Sequence, residues 1–131
     1  MVEKEKGIIE KLYYLLGERE KSIRGERRRN YVGWHIDKEL GIDYYGGKLY
    51  EIGLLYGFIS DAKILDSKSS IISFLKDCLR IEIGETETLQ KEPSSYPFNT
   101  QLAYMDNYKG RIDEASYWLY FELPKLEKTL T

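Results

Sequence analysis

Apolar residues recur at three- and four-residue steps along most of the chain, the period of helices with one face in a core. Between Glu3 and about Arg29, Ile8, Ile9, Leu12, Tyr13, Leu16 and Ile23 form such a stripe, with Lys4, Lys11 and Glu18 opposite. Gly17 and Gly25 each cost up to about 1 kcal/mol in a helix interior relative to Ala, so a bend or break is expected near either. Glycines 17, 25, 33 and 41 are eight apart. Eight residues advance a helix by about 80° beyond two turns, so that spacing marks no face.

From Asn30 to Gly47 the pattern is ambiguous. Tyr31 to Ile36 favour a short strand, yet Trp34, Asp37, Lys38 and Leu40 also continue a helical period. We read a helical extension to about Leu40, a turn through Gly41, and a loop at 43–47 from the paired glycines. Lys48 to about Lys63 predicts a helix with a seam of Leu49, Ile52, Leu55, Tyr56 and Ile59. Gly53 and Gly57, one turn apart, would let a neighbouring helix approach closely.

A third helix is expected from a cap at Asp66 or Ser67 to Gly84, with Ile71, Ile72, Leu75, Cys78, Leu79 and Ile83 inward. Residues 85–97 read as a polar connection, because Pro93, Pro97 and two serines oppose helix. A last helix, capped at Asn99 or Thr100 and ended by Pro124, would bury Leu102, Met105, Tyr108, Ile112, Ala115 and Leu119, with Gly110 as its weak point. Short connections force neighbouring helices to run opposite ways, so the expected fold is all-α, an antiparallel four-helix bundle in one domain of residues 1–131. A short strand or a helical extension near 31–36 stays open.

Composition narrows the function. The chain has 131 residues, enough for one core without metal or disulfide. With one Cys (Cys78) and one His (His35), it has no thiolate cage or paired-His metal motif, so neither metal nor cofactor is expected. No stretch approaches a membrane span, and the charged start lacks the apolar centre of a secretory signal. The expected location is the cytoplasm, or a particle assembled from it. Sixteen Leu and thirteen Ile against two Val favour helix, while five Asn and Gln together amid abundant Lys and Glu suit a thermophilic source. Twelve tyrosines exceed what a small core readily satisfies, and surplus amphipathic rings suit protein interfaces.

Charge is segregated along the chain. Residues 1–30 carry a net +3 and residues 31–131 a net −5. The basic run supplies Arg19, Lys21, Arg24, Arg27, Arg28 and Arg29, with Tyr31 and Trp34 close behind and Tyr44 and Tyr45 beyond. Such a patch suits an acidic protein surface, a second copy of the chain, or the phosphates and bases of DNA. A solvated helix face with weak Glu–Arg pairs is the plainer account. His35, Asp37, Glu39 and Asp43 offer general-base or metal chemistry only if folded together, and Gly-rich phosphate loops, HExxH, CxxC and GxSxG are all missing. Glu85 with Glu87, and Asp113 with Glu114, read as exposed acid. A non-enzymatic interaction protein is therefore expected.

In length, composition and the helical layout 3–40, 47–63, 67–84 and 99–123, the chain resembles the small helical structural proteins of the Acidianus two-tailed virus. That group includes a paralogue that inhibits the host RNA polymerase. The resemblance implies a virion protein that contacts itself, other virion proteins or packaged DNA and passes through the host cytoplasm before assembly. The alternative it implies is a regulator that docks on a host enzyme such as RNA polymerase. No diagnostic motif carries it, so it assigns no residue.

Overall fold

A computed structural model describes residues 2–31, 41–92 and 97–129. They form α1 (Val2–Tyr31), α2 (Gly41–Ala62), α3 (Lys68–Lys91), α4 (Phe98–Tyr117), a π-helical turn (Trp118–Glu122) and α5 (Leu123–Thr129). The described residues contain helices and no strand, in keeping with the expected helical bundle. The expectation of a strand or helical extension at 31–36 lies outside them beyond Tyr31, the last residue of α1.

Ile8, Ile9, Leu12, Leu16 and Ile23 of the α1 stripe are buried as their period predicts, with Tyr13 partly buried against them, and Gly17 and Gly25 pass without a break. Ser67 caps α3 by accepting a hydrogen bond from Ser70 N at 3.1 Å. Contacts fix the directions of the helices. Glu82 and Lys76 of α3 meet Arg111 and Glu127 in reverse order, so α3 runs against α4 and its continuation. The five-residue connection 63–67 likewise turns α3 back along α2. α1 packs chiefly on α2, α3 chiefly on α4, and the most extensive contact joins α2 to α4.

That central contact corrects the expected loop at 43–47. Tyr44, Tyr45, Gly46 and Gly47 lie inside α2, because the missing side chain lets two backbones touch. A Cβ on Gly47 would lie 2.8 Å from the carbonyl carbon of Asn107 and 3.1 Å from Arg111 N. A Cβ on Gly110 would lie 2.9 Å from the carbonyl carbon of Tyr44 and 3.1 Å from Lys48 N. Gly110, expected as a weak point, is thus half of the closest approach. Gly53 and Gly57, expected to provide it, face open space.

The reciprocity of the glycine contact extends through the core as an internal repeat. Buried positions 8, 9, 12, 16 and 23 of α1 correspond to buried 71, 72, 75, 79 and 86 of α3, each 63 residues on. Along α2, positions 47, 51, 52 and 55 correspond in the same way to 110, 114 and 115 of α4 and to 118, the first residue of the π-helical turn. The motif Tyr-x-Gly-basic-aliphatic-x-Glu stands at 45–51 and again at 108–114. Beyond Trp118 the offset grows by one, matching buried Ile59 and Ala62 to Leu123 and Leu126. The π-helical turn absorbs this extra residue: Leu123 N–H bonds back to Trp118 O, five residues away. Pro124, expected to end the helix, is carried through just after that widened turn, where the usual four-residue bonding is already interrupted.

Two further expectations are revised. α3 continues through Gly84 to Lys91, with Thr86 buried and its hydroxyl donating to Glu82 O at 2.7 Å. α4 is also rotated from the expected seam. The expected seam holds at Ala115 and, in the π-helical turn, Leu119, both buried, but Gly110 and Glu114 share the inner face with them and Leu102 and Met105 are each 47% exposed.

Candidate functional site

Along the interior run charged side chains from all four long helices: Arg19 of α1, Glu51 of α2, Glu82 of α3, and Arg111 and Glu114 of α4. Glu51 and Glu114 have no exposed surface and Glu82 keeps 8%. Ionised carboxylates in such positions need donors, and the two halves of the repeat supply them unequally.

Around Glu114 the supply is complete. Arg19 donates twice, Nε to Oε2 at 2.9 Å and Nη2 to Oε1 at 3.0 Å, and Trp118 Nε1 donates to Oε2 at 2.9 Å. The guanidinium also lies 4.0 Å from the centroid of the Tyr117 ring. Burial opposes the charge on Arg19, but the bond to Glu114 and its negative charge outweigh that and raise the pKa. The fork geometry suits Arg and not Lys.

Around Glu51 it is incomplete. The residue repeating Arg19 in the second half is Glu82, so the partner expected to neutralise Glu51 is another acid. Arg111 compensates in part, donating from Nη2 to Glu82 Oε1 at 2.6 Å while its Nε stays 4.0 Å from Glu51 Oε1. Arg111 is held 4.4 Å from the Tyr50 ring centroid and 5.8 Å from that of Tyr108. Both oxygens of Glu51 and the Nε of Arg111 are buried without a hydrogen-bond partner. Burial, then the charge of Glu82, pushes the pKa of Glu51 up to about 9, with Arg111 acting in the opposite sense.

The residues expected as contacts separate. Arg19 is turned inward by Glu114 and leaves the basic patch, a correction caused by its bidentate pairing. Lys21 lies 3.6 Å from Glu18, and Arg24 pairs with Glu20 at 3.1 Å. Arg27 is partly buried, whereas Arg28 and Arg29 are exposed in the last turn of α1. Tyr44 and Tyr45, expected at an interface, are core residues at 8% and 4% exposure, meeting edge to face. The Tyr44 hydroxyl donates to Asp113 at 2.6 Å, and burial followed by that bond raises its pKa. The side chains of Tyr31 and Trp34, like His35, Asp37 and Glu39, lie outside the described residues. Glu114, expected exposed, is the most fully satisfied acid in the core.

Aromatic exposure lies elsewhere. Tyr14, Tyr50, Tyr104, Tyr120 and Phe121 stand between 44% and 71% exposed. The π-helical turn sets Tyr120 and Phe121 outward, and Phe121 stacks on Tyr117 at 6.1 Å. Among the described residues, no group of His, Cys, Asp and Glu side chains is placed to hold a metal ion. None of the described helices is long and apolar enough to cross a membrane. Searches of family models, curated proteins and solved structures give no match to the chain.

Proposed function

We propose that the chain is a non-enzymatic interaction protein, a structural component of an archaeal virus particle, that works by presenting aromatic and apolar side chains to neighbouring copies or other virion proteins. The observation that supports this reading is the division between interior and surface. In the core Arg19 pairs with Glu114 and Arg111 with Glu82 across helices, while Leu102, Met105, Tyr104, Tyr120 and Phe121 remain exposed. Large apolar side chains left outside a core that holds its charges inside suit binding better than chemistry. The viral assignment itself draws on the resemblance in layout and composition, as does a thermophilic source.

High-copy recovery of the protein by mass spectrometry of purified particles is the expected result. Its absence from particles, together with co-purification with RNA polymerase and loss of transcript in vitro, would move the assignment to a regulator of the host enzyme.

Contact with packaged DNA is a narrower part of the proposal and rests on Arg28 and Arg29 with Arg27. Replacing all three by Ala should lessen the salt dependence of DNA affinity by up to about three in the log–log slope. An unchanged slope would return these residues to a solvated helix face.

A further inference from the structure

The buried cluster holds three carboxyl groups, Glu51, Glu82 and Glu114, against two guanidinium groups, Arg19 and Arg111. Lys48, one turn before Glu51 on α2, has its ammonium 4.9 Å from the centroid of the Tyr44 ring and makes no ion pair with the three carboxyl groups. Glu114 takes both forks of Arg19, and Glu82 takes the short bond from Arg111. Glu51 is left with two buried oxygens and no donor. An ionised carboxylate there would be compensated only in part, by Arg111 with its Nε 4.0 Å away and no hydrogen bond, and would have a second carboxylate as its neighbour.

We infer that Glu51 and Glu82 form a proton-binding site in which one proton, held between the two carboxyl groups, completes the core. The proton supplies the missing donor and brings the cluster to neutrality. The repeat shows why the site exists in one half only: the Arg19–Glu114 position of the first crossing is occupied by Glu82 and Glu51 in the second. Where one crossing places an ion pair, the other places an acid pair that binds a proton.

The site makes stability depend on pH. Its carboxyl binds the proton more tightly in the folded chain than in the unfolded one, so the contribution is complete below the ordinary Glu pKa. It is then lost as pH rises towards the folded value, because the unfolded chain releases the proton first. Across that window the unfolding equilibrium constant of the full chain should rise by about tenfold per pH unit from this site alone.

Chemical unfolding of the wild type and of Glu51→Gln over that pH range isolates the site, as other titrations cancel in the difference. Glu51→Gln should remove the tenfold-per-unit component, and infrared spectra of the folded wild type near neutral pH should contain a protonated carboxyl band absent from the variant. Glu82→Arg, which restores the pairing of the first crossing, should also abolish the band. Equal pH slopes in wild type and Glu51→Gln, or no protonated carboxyl band at neutral pH, would overturn the inference. Because the infrared reading needs only folded wild-type protein, a variant that fails to fold leaves the inference open to refutation.

Discussion

Replacing Gly110 by Ala should destabilise the folded chain by about 3 kcal/mol, despite the gain of up to about 1 kcal/mol that Ala brings to a helix. The new methyl would enter the carbonyl of Tyr44 and crowd Lys48 N, both backbone atoms inside α2. A flexible side chain could rotate away, but a helix backbone can yield only by moving the helix. Separating α2 from α4 would loosen the largest contact in the bundle. Gly47→Ala should behave alike, since it meets the equivalent atoms of α4. Gly53→Ala and Gly57→Ala supply the opposite sign, because a methyl there meets nothing and should stabilise by up to about 1 kcal/mol each. Urea unfolding of the four single variants checks the contrast, and a similar effect at all four positions would contradict the glycine crossing.

The second large effect is expected at Arg19. Arg19→Met keeps most of the packing but leaves Glu114, fully buried, with only the Trp118 N–H, at a cost of about 3–5 kcal/mol. Arg19→Lys should recover part of this, since one ammonium restores the charge without the two parallel bonds. Arg19→Met with Glu114→Gln should be markedly less destabilised than the sum of the single changes, as the buried charge is gone. Thermal unfolding of the three single variants and the double variant measures the coupling. A loss below about 1 kcal/mol in Arg19→Met would assign the pair to the weakly coupled surface class.

The stripes of α1 and the middle of α2, and the Ser67 cap, are legible in the sequence because apolar packing and local capping dominate there. The paired glycines at 46–47 mislead, since isolated chain preference makes them breakers and only a second backbone makes them useful. Glu114 and Arg111 mislead for a related reason: charges that answer one another inside the bundle look, one at a time, like a solvated face. They rotate the apparent seam of α4 onto Leu102 and Met105 and hide the buried cluster altogether. Comparing the chain with itself at an offset of 63 would have found it, through the recurring Tyr-x-Gly-basic-aliphatic-x-Glu motif and the exchange of Arg19 for Glu82. Exposure at the π-helical turn depends on one extra residue within an otherwise regular helix, and periodicity alone carries no sign of it.

The two-fold likeness of the halves also bears on crowding. Each hairpin has an inner face that matches its sister, and the sister is tethered by the five-residue connection 63–67. A tether this short sets an effective concentration in the millimolar range for the closing of one hairpin on its sister. In a dense assembly, neighbouring molecules reach comparable concentrations and offer the same face. Exchange of hairpins between chains would then link subunits through the core packing described here, without requiring a separately evolved interface.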